Sequence, residues 1–122
     1  MEKQNLIDIL NGDIDLIGTV NERDIALYDM EVIFYPKHVK KMLTAYLNKK
    51  ISAEDLTNWA GFICIRGEYC SPNYLDDEEA DYYEDMFYVV QRLSTPEIDG
   101  DVNEARVKSY LTELDKYPDN PA

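Results

Sequence analysis

The chain has 122 residues, 45% of them hydrophobic, enough for one helical domain across residues 1–122 that buries about two-thirds of its unfolded surface around a single core. Its 25 acidic and 12 basic side chains leave a net charge of −13. This disfavours direct binding to the polyanions, nucleic acid and anionic membrane, and favours cationic partners. No apolar run approaches the length that spans a bilayer. The start, MEKQNLIDILNGD, lacks the charged region, apolar core and cleavage site of a signal peptide, so a cytoplasmic protein is expected, with Cys64 and Cys70 as thiols.

Taken in chain order, the elements suggest a mostly helical, all-α protein. Leu6, Ile7, Ile9 and Leu10 mark a first helix over about Lys3 to Leu10, ended by the turn signal Asn11-Gly12. Up to Tyr35 two patterns compete. Asn21 and Asp24 could cap a helix with Ile25, Tyr28, Val32 and Tyr35 on its face, whereas the alternation Tyr28, Met30, Val32, Phe34 suits a short strand or hairpin; the reading leans to the helix. Pro36 then opens a clear amphipathic helix with Val39, Met42, Leu43, Tyr46 and Leu47, running to about Asn48. Ser52 caps the next, whose face is Leu56, Trp59, Ala60, Phe62 and Ile63, with Trp59 expected at the centre of the core.

Gly67 and Ser71-Pro72-Asn73 break the chain before a helix expected from about Asp76 to Leu93. Thr95-Pro96 ends it, and Asp99-Gly100-Asp101 starts the last helix, expected to bury Val102, Ala105, Val107, Tyr110, Leu111 and Leu114. Pro118 and Pro121 close the chain. Four or five amphipathic helices with short connections form a compact bundle.

The acids invite a metal, but the spacings fail. Asn11, Asp13, Asp15 and Glu22 match calcium-loop positions, yet Leu16 stands where the turn needs glycine; in the second candidate, Asp99, Asp101 and Asn103, the glycine position is Glu104 and the bidentate position Tyr110. Zinc needs closely spaced His or Cys ligands. His38 is the single histidine, read as a surface residue at a lysine-rich helix start, and the cysteines form no CxxC. No residue is evident to orient His38 for a Cys–His nucleophile. Neither metal nor cofactor is expected. Lys37, Lys40, Lys41, Lys49 and Lys50 are read as ordinary surface lysines.

One segment stands out. Gly67 to Gln91 contains no Lys or Arg but eight carboxylates and five tyrosines. Placed on one helix at 100° per residue, Ala80, Tyr83, Met86, Phe87, Val90 and Leu93 form a core stripe. Asp77, Glu78, Asp81, Asp85 and Tyr88 fall opposite, with Tyr82 and Glu84 at the flanks. Like charges one turn apart repel by a few tenths of a kcal/mol each, so such a cluster suits a positive partner. Tyrosine adds apolar contact area with a hydrogen-bonding tip.

The runs YLNKKISAEDLTNWA (Tyr46 to Ala60) and TPEIDGDVNEARVKSYLTEL (Thr95 to Leu114) cover about a third of the chain. In their "YL-x-x-x-IS-x-E-x-L-x-x-WA" and "PEI-x-G" patterns they resemble small bacterial immunity proteins encoded beside polymorphic or contact-dependent growth-inhibition toxins. That resemblance implies a non-enzymatic protein that binds and neutralises a cognate toxin, expected to be a basic nuclease. It supplies no binding motif. Charge and helix geometry point to Glu68, Tyr69, Asp76, Asp77, Glu78, Glu79, Asp81, Tyr82, Glu84, Asp85 and Tyr88 as the partner-binding residues. The alternatives are a general acidic adaptor or nucleic-acid mimic for a basic housekeeping protein, and a small hydrolase.

Overall fold

The computed structural model describes residues 3–19, 32–65, 69–72 and 75–117. The sequence readings over residues 20–31, and those placed on Gly67, Glu68, Asn73, Pro118 and Pro121, lie outside the described residues.

The first helix, α1 (Lys3–Leu10), ends where Asn11-Gly12 placed its end. Gly12 adopts φ +112°, and its N–H donates to Ile9 O while Asp13 N–H reaches back to Asp8 O, both at 3.0 Å. This pair of bonds closes the helix as a Schellman motif, which needs a positive φ at that glycine. A 3-10 turn, Ile14–Thr19, follows.

Val32–Ile33 forms a strand, β1, that pairs in parallel with β2, Tyr69–Cys70, in the register Val32 to Tyr69 and Ile33 to Cys70. The strand alternative thus holds for the last part of the ambiguous segment. The pairing is long-range, across two intervening helices, and β2 had no local signal beyond one aromatic residue.

Helix α2 (Pro36–Leu47) starts at the expected proline. Its first turn corrects the reading of His38, which is buried at 9% exposure. The imidazole Nδ1 accepts the Tyr35 N–H at 2.9 Å, the reach-back half of a capping box. At the far end Lys49 takes φ 61°, and Lys50 N–H donates to Ala45 O at 2.9 Å, a second Schellman-type stop.

Helix α3 (Ala53–Ile65) opens with a complete capping box: Ser52 Oγ accepts Asp55 N–H and Asp55 Oδ2 accepts Ser52 N–H, each at 3.0 Å. Trp59 is fully buried, and its Nε1–H donates to Ile9 O at 3.0 Å. One side chain therefore fills the core and satisfies a C-terminal carbonyl of α1.

The long acidic helix expected from Asp76 to Leu93 is two helices, α4 (Asp77–Tyr82) and α5 (Glu84–Ser94). The cause lies 31 residues beyond Met86 and 35 beyond Tyr82. In an unbroken helix Met86 N–H would donate to Tyr82 O; here the Tyr117 hydroxyl stands between them, accepting Met86 N–H at 3.3 Å and donating to Tyr82 O at 2.7 Å. A side chain inserted into the i to i−4 ladder is an established cause of helix breaks. The Tyr117 ring stacks on Tyr83 at 5.6 Å and meets Tyr82 edge-on at 5.1 Å.

The break releases α5 to choose its own rotation. Met86, Val89, Val90 and Leu93 face inward, whereas Phe87, expected in the core, is 43% exposed. A short α6 (Pro96–Asp99) precedes α7 (Glu104–Leu114). The last helix starts later than expected: Asn103 Oδ1 accepts Arg106 N–H at 2.9 Å as its cap. That phase buries Val107, Tyr110 and Leu114 and leaves Ala105 exposed, with Val102 and Leu111 half-buried. Gly100 has φ +106°, a backbone conformation that favours glycine; a Cβ there would sit 2.6 Å from Arg106 Nη2, the mobile end of a side chain that can move aside.

The inward faces of α1, α2, α3, α5 and α7 meet in one hydrophobic cluster with Trp59 fully enclosed. Helices α3 and α5 form the most extensive pairing, and α2 packs on α7.

Two predictions test these arrangements. Tyr117→Phe keeps the stacked ring but strands Tyr82 O and Met86 N–H, and is expected to cost about 1–3 kcal/mol in urea denaturation. The second concerns pH. Burial, then the nearby Lys37 and Lys41 charges, depress the His38 pKa to about 4 from 6.5. The unfolded chain therefore takes up this proton first on acidification. The contribution of neutral His38 is fully present above about pH 6.5 and is lost as pH falls toward 4, on the order of 2 kcal/mol. His38→Gln, which retains an acceptor for Tyr35 N–H, is expected to show a smaller stability loss between pH 7 and 4.5 than the native protein.

Candidate protein-binding surface

The acids of the α4–α5 segment divide into structural and displayed groups. Asp76 is the N-cap of α4: its Oδ1 accepts Glu78 N–H at 3.0 Å and Glu79 N–H at 3.2 Å. Asp77, Glu78 and Glu79 follow in the first turn, where the positive end of the helix offsets part of their repulsion. Glu79 is half-buried, while Asp77, Glu78 and Asp81 are exposed. Asp85 forms an ion pair with Lys116. Both partners are substantially exposed, which keeps such a pair weak.

The same two helices expose aromatic rings. Tyr82 and Tyr88 are each 41% exposed, and Leu75, just before α4, is 85% exposed. The Tyr88 hydroxyl donates to Glu84 Oε1 at 2.9 Å. The bond to Glu84, then the charge of that carboxylate, raise the Tyr88 pKa above the ordinary phenol value, so the proton that makes the bond is retained. Phe87 joins this exposed set. It was missed because the stripe was drawn for one continuous helix.

Tyr69 does not belong to the surface. It is 8% exposed, and its hydroxyl donates to Leu6 O at 2.6 Å, while Phe62 meets the ring edge-on at 6.0 Å. Tyr69 thus joins β2 to α1 and is withdrawn as a binding residue. Glu68 lies outside the described residues. The remaining sequence-selected residues, Asp76 to Tyr88, are brought together on the two consecutive helices α4 and α5.

The lysine cluster is in part structural. Lys40 Nζ donates to Tyr117 O at 2.8 Å and Lys41 Nζ to Asn11 O at 2.9 Å; both bind carbonyls just beyond helix ends. Lys37 lies 5.5 Å from the Tyr35 ring centre.

Other candidate features are less organised. An open groove of about 620 Å³ is lined by Arg92, Asn103, Arg106, Ser109, Tyr110 and Glu113, among others, and Arg92 is paired across it with Glu113 at 3.3 Å. No His, Cys, Asp and Glu side chains group in threes as metal ligands among the described residues. Cys64 and Cys70 are half-buried thiols. Burial, opposed by a hydrogen bond with Ser94, raises the Cys64 pKa, which disfavours the nucleophilic thiolate. No described helix is long and apolar enough to cross a membrane.

The residues that carry the immunity-protein resemblance are folding elements: Ser52 caps α3, Leu56, Trp59 and Ala60 are fully buried, and Gly100 takes the positive φ that ends α6. No protein-family model matches the chain, nor does any curated protein or solved structure.

The division of the acids is testable by stability alone. Asp76→Ala removes the α4 cap and is expected to cost about 1 kcal/mol. Asp81→Asn removes only an exposed, repelled charge and is expected to change stability by less than about 0.5 kcal/mol. Thermal denaturation of the two variants distinguishes them.

Proposed function

We propose that the protein is a non-enzymatic immunity protein. In this reading it acts in the cytoplasm and neutralises a cognate basic toxin, a nuclease, by stoichiometric occlusion. The observation that carries the reading is the α4–α5 segment, whose two consecutive helices expose Asp77, Glu78, Asp81 and Glu84 together with the rings of Tyr82, Phe87 and Tyr88. Carboxylates opposite Lys and Arg speed encounter and discriminate against wrong partners, and aromatic rings supply the apolar contact of an interface core. A nuclease must itself present cations to phosphate, so an acidic face can compete for the same surface.

The sequence resemblance supplies the toxin–immunity context, and the surface chemistry supplies the sign of the partner. The residues committed to the role are Asp77, Glu78, Asp81, Tyr82, Glu84, Phe87 and Tyr88. Asp76 and Glu79 shape the start of α4, and Asp85 borders the face through Lys116.

Co-expression with the protein encoded immediately upstream is the test. The tagged chain is expected to retain a basic, growth-inhibiting fragment in equimolar, salt-sensitive complex and to restore growth. Asp77→Lys with Asp81→Lys, both at exposed positions, is expected to leave the fold unchanged by circular dichroism and to weaken the complex by at least about tenfold at low salt. Unaltered affinity in that variant would remove α4 from the interface, and absence of any toxin complex would remove the immunity reading.

A further inference from the structure

The solvent side of α5 is formed by Glu84, Phe87, Tyr88 and Gln91, all exposed, at the three- and four-residue spacings that place side chains together on one helix face. The core contacts of α5 are made from the other side by Met86, Val89, Val90 and Leu93. Among the described residues, Phe87 and Tyr88 belong neither to the core nor to the half-buried side chains packed against it. Nor is Glu84 an isolated carboxylate, because the Tyr88 hydroxyl holds its Oε1 at 2.9 Å. This bond fixes an anionic acceptor beside the ring edge, and a carboxylate that has accepted one hydrogen bond retains further acceptor sites.

The two biological cations use such a surface differently. A guanidinium is flat and permanently charged, stacks on aromatic faces, and donates parallel N–H bonds to a carboxylate; an ammonium is a compact, strongly hydrated point charge. We propose that the Glu84–Phe87–Tyr88 face of α5 is an arginine-selective docking surface for a basic protein segment. One arginine side chain lies against the Phe87 and Tyr88 rings and donates to Glu84. This rests on the reading that the α4–α5 face meets a basic partner, and it specifies which cation the partner presents. The exposed acids of α4, Asp77, Glu78 and Asp81, attract either cation at longer range, so discrimination comes from the rings and from Glu84.

The test uses an oligoarginine and an oligolysine peptide of equal length, titrated into the full chain and followed through the backbone amide shifts of α5. Oligoarginine is expected to bind about fivefold more tightly, with the largest shifts at Glu84, Phe87 and Tyr88. The double variant Phe87→Ser, Tyr88→Ser changes exposed residues only and is expected to weaken oligoarginine binding more than oligolysine binding, so that the preference is lost. Equal affinity of the native protein for the two peptides, a preference that survives in the double variant, or no binding of either peptide would overturn the assignment. Equal binding of both at α4–α5 would leave the immunity reading standing. A failed toxin capture beside a confirmed preference would remove the toxin and retain the arginine-bearing partner.

Discussion

The Tyr117 hydroxyl occupies the one rung of helix that would have joined α4 to α5, and the geometry of the acidic face follows from it. Tyr117 accepts from Met86 and donates to Tyr82, so neither backbone group is orphaned by the break. Burial raises the Tyr117 pKa, opposed in part by the Met86 bond and the Lys116 charge, and the phenol keeps the proton that it donates. Its own carbonyl accepts Lys40 Nζ. One residue at the end of the described chain thus ties α2, α4 and α5 together. Because the helix is interrupted, Met86, Val89, Val90 and Leu93 can all seat against the core while Phe87 and Tyr88 turn outward together.

The same arrangement shows how a chain of net charge −13 supports its densest acids. Repulsion between carboxylates one turn apart is small per pair, whereas each large apolar side chain buried on α5 contributes roughly 1.5–3 kcal/mol. The inward face therefore outweighs the outward one, and the acids need no stabilising role of their own. Asp76 has one, as a cap; Asp85 is partnered by Lys116. Asp77 and Glu78 gain only the modest attraction of the positive end of α4, and Asp81 is exposed, so most of this charge is left facing solvent at some cost in stability.

Local signals in the sequence were legible where local chemistry decides the structure. Asn11-Gly12, Pro36 and Ser52 placed three helix ends, because a positive-φ glycine, a first-turn proline and a capping box act within four residues. The enclosed Trp59 was readable for the same reason, from its place in an apolar helical stripe. What the sequence concealed was long-range. The pairing of Val32 with Tyr69 crosses two helices, the bond from Tyr69 to Leu6 links residues 63 apart, and the Tyr117 bridge reaches back from beyond α7. Each moved a residue across the surface: Tyr69 went in, and Phe87 came out. His38 also went in, through a cap bond to Tyr35; there the signal was local, an acceptor at the third helical position, and was obscured by the lysines around it. The acidic face was legible as composition, and its exposed aromatic rings were only partly so.

The central claim is that α4 and α5 form the face that meets a basic toxin. Amide hydrogen exchange of the protein, alone and in complex with whatever basic protein the upstream reading frame supplies on co-expression, tests it most directly. Added protection concentrated between Asp77 and Gln91, and weakened by salt as charge pairing requires, is the expected result. Protection confined to α2 and α7, with α4 and α5 exchanging as they do in the free protein, would contradict it.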